Sequence, residues 1–515
     1  MQNYNILWAD DEIDLLKAHI IFLEQKGYTV KPVNNGVDAL EEINRSQYDC
    51  VFLDENMPGM TGLELLPKIK NIRPNLPIVM ITKSEEESIM EEAIGSKITD
   101  YLLKPLRPQQ IVLCLKKIFD NSRLISEKTN TDYQREFQKI SLEYNENLDH
   151  KEWSNLYQRI VRHELKIDDT EEKSMMEVLQ MQKTEANRNF CDFVEDNYED
   201  WLLDDNAPLM SHQVMKEKIL PEVNSSKSFF LIVIDNLRLD QWEIIEPLIA
   251  KYFTIEERNN FYSILPTATQ YARNALFSGL TPLEISKKHP HLWVGENDEG
   301  GKNNHESELL ETFFTKEKQN VKFEYNKILT LEQGQSLVNK FNNLLSNEFN
   351  AIVFNFVDML SHARTDMKVI KELAANESAY RSITKSWFEH SSLFELLKKI
   401  AQSGNKVIIT TDHGTTLVKN PFKMVGDKSV NTNLRYKQGK NLGYEEKGVF
   451  TMYDPEKFGL PKTNISSRYV FTKENDFFVY PNNYNKFVGM YEDTFQHGGI
   501  SMEEMIIPLI KLSPK

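Results

Sequence analysis

Cysteine is scarce in this 515-residue chain: Cys50, Cys114 and Cys191 stand far apart and form no CxxC pair. That excludes a disulfide framework or a thiolate metal knuckle, and it fits a reduced, cytoplasmic compartment. No apolar run reaches the about 18–20 residues that cross a bilayer, so no membrane span is expected. The opening Met1-Gln2-Asn3-Tyr4 lacks the basic and apolar regions of a secretory signal. Positive charge is also in deficit. Lys and Arg number 61 against 77 Asp and Glu, a formal net charge of −16 that argues against extensive duplex binding. Glycine and proline are both missing from Asn121 to Asn206. A stretch without breakers is free to run as long helices.

The remaining composition, 40% hydrophobic and 27% charged, is that of an ordinary globular protein too long for one core. Residues 1–120 alternate short apolar runs with amphipathic segments. Strands are expected at Ile6–Ala9, Thr29–Pro32, Cys50–Asp54, Ile78–Thr82 and Asp100–Leu103. Helices are expected at Ile13–Lys26, Gly36–Asn44, Gly62–Asn71, Glu86–Ile94 and Pro108–Phe119. Five βα units predict a doubly wound parallel sheet with its site at the strand C-termini. Residues 121–206 carry apolar residues at helical spacing, such as Trp153, Leu156, Tyr157 and Ile160, and read as a small bundle. Residues 207–515 return to an α/β pattern, with helices at Leu331–Ser346, Ser378–Glu389 and Ser392–Gln402. A polar, net-basic segment, Lys419–Lys447, stands apart and includes Arg435 and Lys437.

Two constellations carry chemistry. In the first, Asp10 and Asp11 follow strand one, Asp54 ends strand three, Thr82 ends strand four and Lys104 follows strand five. Asp11 and Asp54, with Asp10 close by through water, suit Mg²⁺. Asp54 is placed to attack a phosphoryl donor, with the Lys104 ammonium and Thr82 hydroxyl on the phosphoryl oxygens. Read singly, Asp10 and Asp11 are helix caps and Lys104-Pro105 a turn.

The second constellation is spread over rather more than the second half of the chain: Asp235, Thr269, Asp358, His362, Asp412, His413 and His497. Each lies after an apolar run or beside a Gly-rich turn, where strand ends deliver side chains to one edge. Carboxylate and imidazole suit zinc, and a pair of zinc ions serves in-line displacement at phosphorus. Taken one at a time, Thr269 reads as an N-cap, Asp358 and His362 as an exposed i, i+4 pair, and His497 as structural.

The first constellation, with Met57-Pro58-Gly59 and Gly62, resembles the receiver domain of two-component response regulators over about 120 residues. The resemblance implies Asp54 as phosphoacceptor, Thr82 with Tyr101 as switch pair, and a sensor histidine kinase as donor. The stretch from Pro266 through Thr269 to Leu280 resembles the PglZ branch of the alkaline phosphatase superfamily. That likeness implies Thr269 as nucleophile, one zinc on Asp358, His362 and His497, and a second on Asp235, Asp412 and His413. Phosphodiesterase relatives hold a phosphoryl oxygen with an Asn three residues past the nucleophile, where this chain has Ala272. Arg273 and the basic segment (Arg435, Lys437) become the substrate-binding candidates.

Receiver, bundle and PglZ-type domain in this order resemble the response regulators of type IX secretion in Bacteroidetes. The expected architecture is therefore a CheY-like receiver at 1–120, a helical bundle at 121–206 and an alkaline-phosphatase-like α/β domain at 207–515. The expected function is a kinase-controlled, zinc-dependent phosphodiesterase acting on a nucleotide or oligonucleotide, dimerising on phosphorylation. The competing class is a zinc-bearing regulator without turnover that binds a sigma factor or a secretion-machine component. A DNA-binding output would need a basic recognition helix, and residues 121–206 mix both signs.

Overall fold

The computed structural model describes every residue except 1–3, 84–97, 169–172, 205–206, 297, 299, 367, 375 and 427–430. The chain forms two compact units, Met1–Asp132 and Tyr133–Lys515.

Unit one is built on five parallel strands: β1 (Tyr4–Ala9), β2 (Tyr28–Val33), β3 (Cys50–Asp54), β4 (Ile78–Thr82) and β5 (Asp100–Leu103). Their order is β2-β1-β3-β4-β5. Ile6, Trp8 and Phe52 pack on one face of the sheet and Leu7, Val51 and Leu53 on the other, as a parallel sheet covered on both sides requires. The covering helices α1 (Lys17–Gln25), α2 (Gly36–Arg45) and α3 (Gly62–Ile72) match the sequence pattern closely. Asn35 caps α2 by accepting from the Asp38 N–H, and Thr61 and Glu64 form a capping box on α3. The segment expected as one helix from Ile13 opens instead with a short 3₁₀ turn, Ile13–Leu16. The expected helix Glu86–Ile94 lies outside the described residues. The helix expected to end at Phe119 continues: α4 is Pro108–Glu143, and the division between units falls inside it. With no Gly or Pro after Pro108 to stop it, that helix has no local signal to end sooner.

Unit two contains α5 (His150–Asp168) and α6 (Lys173–Trp201), followed by a six-stranded sheet. Its strands are β6 (Phe229–Ile234), β7 (Phe253–Tyr262), β8 (Phe323–Ile328), β9 (Phe349–Phe354), β10 (Val407–Thr410) and β11 (Ile506–Pro514). The order is β7-β11-β10-β6-β9-β8, with β10, β6, β9 and β8 parallel and β11 antiparallel to both its neighbours. Strands β6 and β9 are buried along their whole length, which explains their unbroken apolar runs. The apolar residues of α5 and α6 (Trp153, Ile160, Leu179, Phe190, Val194) belong to the same core cluster as Ile232, Ile352 and Ile409 of this sheet. Helices α5 and α6 therefore share one core with the α/β domain. Leu331–Ser346, expected as one helix, is broken into Leu331–Asn339 and Phe341–Leu344.

Candidate functional site

Three acid or acid–imidazole sets form among the described residues: Asp235, Asp412 and His413; Asp358, His362 and His497; and Asp10, Asp11 and Asp54. In each, the ligand-type atoms lie within 4.8 Å of one another.

The first two sets adjoin at the C-terminal edge of the large sheet. Asp235 directly follows β6, and Asp412 lies two residues past β10. Asp358 departs from expectation. β9 stops at Phe354, and Asp358 sits in the first turn of α9 (Phe356–Asp366), where i, i+4 spacing puts His362 on the same face. His362 Nε2 is 3.5 Å from Asp358 Oδ1, and His497 Nε2 is 3.7 Å from the same oxygen. His497 comes from a minor sheet: Thr416–Val418 pairs antiparallel with Thr494–Gln496, so His413 and His497 leave one ribbon side by side. Their rings stack with centroids 4.3 Å apart, which joins the two sets. Asn236, held at φ 65°, bridges them as well. Its backbone N–H donates to Asp412 Oδ1 at 3.4 Å and its Nδ2 to Asp358 Oδ1 at 3.3 Å.

Hydrogen bonding fixes the tautomers. His413 Nδ1–H donates to the Gly414 carbonyl at 3.0 Å and His497 Nδ1–H to the Thr267 carbonyl at 3.2 Å. Both rings thus turn an Nε2 lone pair to the carboxylates, the arrangement metal-binding histidines adopt. Burial, then the neighbouring His413 and His362, hold His497 well below the usual imidazole value, so it is a neutral donor. Asp235 is pushed well up by burial and by Asp412 and Asp358, with Arg273 opposing. Asp235 Oδ1 and Asp412 Oδ2 are buried with no hydrogen-bond partner. These two oxygens lie 3.9 and 3.8 Å from His413 Nε2, a concentration of electron-pair donors that Arg273 compensates in part and a metal cation would complete.

Thr269 is the first residue of α8 (Thr269–Ser278), and Ala268 is its N-cap, so the threonine hydroxyl is not spent on capping. Instead Oγ1 lies 3.0 Å from His413 Nε2, at a helix N-terminus where the dipole favours an anion. Gly279, at φ 61°, ends the helix.

The three substrate-contact candidates are each engaged by other groups of the protein. Arg273 is buried, with Nη1 2.7 Å from Asp235 Oδ2 and Nε 2.5 Å from Glu306 Oε1. It balances the charge of the ligand carboxylates and leaves no guanidinium face for substrate. Arg435 is equally enclosed, paired with Glu504 at 2.6 Å and donating to the Ile500 carbonyl at 3.2 Å. It braces the turn after His497. Lys437 donates to the Asn431 carbonyl at 2.8 Å and lies 5.1 Å over the Tyr480 ring, in a separate cavity of about 300 Å³ with Phe478 and Tyr491. Burial lowers its amine to about 8. Within the basic run, Arg435 and Lys437 thus serve as internal bracing and cavity lining, while Lys419, Lys423, Lys440 and Lys447 are exposed.

Sequence reasoning passed over Asn236, Asn355 (Nδ2 to Asp235 Oδ2, 2.7 Å) and Glu306. Asn236 alone left a trace, as the residue between Asp235 and a buried leucine.

In unit one, Lys104 Nζ lies 2.8 Å from Asp54 Oδ1 and 3.0 Å from Asp10 Oδ2. Burial raises Asp54 above the usual carboxylate value, with Lys104 opposing. A Cβ on Gly62 would come within 2.3 Å of the Asp54 carbonyl, so only glycine lets α3 start there. The Thr82 hydroxyl donates to Glu55, a partner the sequence did not announce, and Tyr101 is partly exposed on β5.

Comparisons with known proteins agree with this layout. Residues 214–512 match the BREX system PglZ alkaline phosphatase-like domain, 123–202 the PorX response regulator linker domain, and 6–116 the response regulator receiver domain. The transcriptional regulatory protein ZraR of Klebsiella oxytoca is 33% identical over 123 residues, covering 24% of this chain and 28% of that protein. The transcriptional regulatory protein SrrA of Staphylococcus aureus is 28% identical over 131 residues, covering 25% of this chain and 54% of that protein. The chain thus spans about half or less of these curated relatives. A CheY-like receiver from Methanospirillum hungatei aligns at 25% identity and a TM-score of 0.23, covering 23% of this chain and 96% of that one. No helix among the described residues is long and apolar enough to cross a membrane.

Proposed function

Because this chain belongs to the PglZ alkaline phosphatase-like family, with a response regulator receiver ahead of that domain, we propose that it is a kinase-controlled, zinc-dependent phosphodiesterase. One observation carries the reading: two adjoining triads of zinc-type ligands, with a threonine hydroxyl that is free of helix capping and hydrogen-bonded at 3.0 Å to the ligand nitrogen of one of them. The residues fit zinc. The orphaned Asp235 and Asp412 oxygens and the Nε2 atoms of His413 and His497 are the donors it prefers. Asp235, Asp412 and His413 would hold one ion, and Asp358, His362 and His497 the other.

Bound zinc supplies Lewis acidity to the nucleophile and to the phosphoryl oxygens. Thr269 Oγ1, anchored at the start of α8, is the catalytic residue. Its hydroxyl releases its proton to solvent as Oγ1 bonds to phosphorus and the bond to the leaving oxygen breaks, that oxygen taking up a proton from solvent. Water then cleaves the phosphothreonine. Asn236 and Asn355 orient the acids, and Arg273 favours ionisation of the buried carboxylates. A phosphomonoester carries two charges and asks for a cationic clamp. Arg273 and Arg435 are already committed to internal carboxylates, which favours a singly charged diester of the nucleotide type. A chromogenic diester should be hydrolysed by the zinc-loaded chain, and a chelator should stop turnover. Turnover unaffected by chelation would overturn the reading.

In the receiver, Asp54 takes the phosphoryl group from a sensor kinase, with Mg²⁺ on Asp10, Asp11 and Asp54, and Thr82 with Tyr101 relays the change. Phosphorylation should pair two chains. Acetyl phosphate is expected to raise the sedimentation coefficient from monomer to dimer, and an unchanged monomer would count against this step. The chain's domain order resembles that of the type IX secretion response regulators, so a role in regulating that secretion from the cytoplasm is part of the proposal.

A further inference from the structure

The two imidazoles that join the metal sets, His413 and His497, are both seated on one short segment, residues 500–504. The Gly414 N–H donates to the Glu504 carbonyl at 3.1 Å, and Gly414 passes so close that a Cβ there would lie 1.9 Å from the Glu503 carbonyl. Gly414 in turn holds the His413 ring through its own carbonyl. On the other side, the Gly499 N–H donates to Glu504 Oε1 at 2.9 Å, and the Gly499 carbonyl accepts from the Thr267 hydroxyl at 2.8 Å. Thr267 supplies the carbonyl that fixes His497. Moving residues 500–504 would therefore move both imidazoles.

That segment is held from behind by α6, far away in sequence and part of no catalytic motif. Asn187 makes two hydrogen bonds to it, both buried. Its Oδ1 accepts from the Met502 N–H at 2.8 Å and its Nδ2 donates to Glu503 Oε2 at 2.9 Å. One turn back, Lys183 Nζ is 3.1 Å from Glu503 Oε1. One turn on, the Cys191 thiol donates to the Ile500 carbonyl at 3.3 Å. Three residues at i, i+4 and i+8 thus put a single stripe of α6 against the segment.

We propose that Asn187 is a positioning residue for the metal centre: through Glu503 and Met502 it sets the seat of His413 and His497, so the linker helix forms the outer wall of the site. The inference rests on the two-metal reading above. Outer partners of metal ligands typically matter by 10–100-fold in metal affinity or activity. They also shape the ligand field without touching the ion.

The test uses the full chain loaded with Co²⁺, whose visible absorption reports coordination geometry. Asn187→Leu removes both hydrogen bonds at similar volume. It is expected to shift the cobalt spectrum and weaken cobalt binding 10–100-fold while the circular dichroism stays native. The double variant Asn187→Asp with Glu503→Gln reverses donor and acceptor across the contact, since the introduced glutamine amide would donate to the new carboxylate. It should restore the wild-type spectrum, whereas Asn187→Asp alone should not. A folded Asn187→Leu with wild-type spectrum and affinity would overturn the proposal. If that variant does not fold, equal spectra for Asn187→Asp with and without the Glu503 change would do the same. Wild-type protein that binds no cobalt would instead defeat the two-metal reading itself.

Discussion

Replacing Thr269 with valine is expected to lower hydrolysis of a phosphodiester by about a thousandfold or more, with little change in fold or metal content. The substitution keeps the β-branched shape and deletes only the hydroxyl. Thr269 Oγ1 does not cap α8, so the helix loses no terminal hydrogen bond. Asp235 remains held by Asn355 and Arg273; His413 loses the threonine hydroxyl at Nε2 but keeps the Gly414 carbonyl that fixes its ring. The loss should appear in kcat, because an interaction made only on the way to the transition state is being removed. Equal turnover by wild type and Thr269→Val, measured with the same diester at saturating zinc, would remove the threonine from the mechanism.

The second large effect concerns stability. Lys183 on α6 is buried and lies 3.1 Å from Glu164, 3.2 Å from Glu377 and 3.1 Å from Glu503. Around it, Arg238 pairs with Glu377 at 2.9 Å, and Arg381 reaches Glu164 at 2.6 Å and Asp240 at 2.9 Å. The network ties α5 and α6 to α7 (Leu239–Ile249) and α10 (Glu377–Glu389). Lys183→Met leaves three buried carboxylates short of one cation, and such uncompensated charge costs about 3–5 kcal/mol. Denaturant unfolding of the two proteins at neutral pH measures the difference, and a loss below about 1 kcal/mol would show the network to be dispensable.

The same carboxylates set the acid limb. Burial works against ionisation of Asp240 and Glu377, but Arg238 and Arg381 overcome it at Asp240, and Lys183 and Arg238 do so at Glu377. Both are held below their ordinary values of 3.8 and 4.5. Groups depressed in the folded state stabilise it fully above those ordinary values. They cease to do so as pH falls through the lower folded ones, because the unfolded chain then binds more protons. Wild-type stability from this network should therefore hold down to about pH 4.5 and decline below it. In Lys183→Met the decline should be shallower, because Glu377 loses the first of the cations that hold it low and has less pH-dependent stability to give up.

The sequence revealed most where local chemistry coincides with an element end. Strands β3, β4 and β5 were legible to the residue, since each is a short apolar run ending at Asp54, Thr82 or just before Lys104. Asp235 and Asp412-His413 were legible because buried parallel strands read as unbroken hydrophobic runs that stop abruptly at a polar residue. Asp358 was expected at the end of an apolar strand and lies instead in the first turn of α9; the Asn355 break is a single polar residue in an apolar stretch. The arginines illustrate the limit. Nothing near Arg273 or Arg435 in the chain distinguishes a substrate clamp from a buried counter-ion, because Glu306 and Glu504 arrive from 33 and 69 residues away. Asn187 and Glu503 are 316 residues apart, and only the closure of α6 onto the end of the large sheet brings them together. Likewise, α5 and α6 announced their apolar stripes but not the surface that buries them.

Metal content of the purified full chain, determined by inductively coupled plasma mass spectrometry, bears most directly on the bimetallic centre. About two zinc ions per chain are expected in the wild type, falling to about one or fewer in Asp235→Asn and in His497→Ala, with native circular dichroism retained. A folded wild-type chain that takes up no zinc on dialysis, or a stoichiometry indifferent to both substitutions, would contradict it.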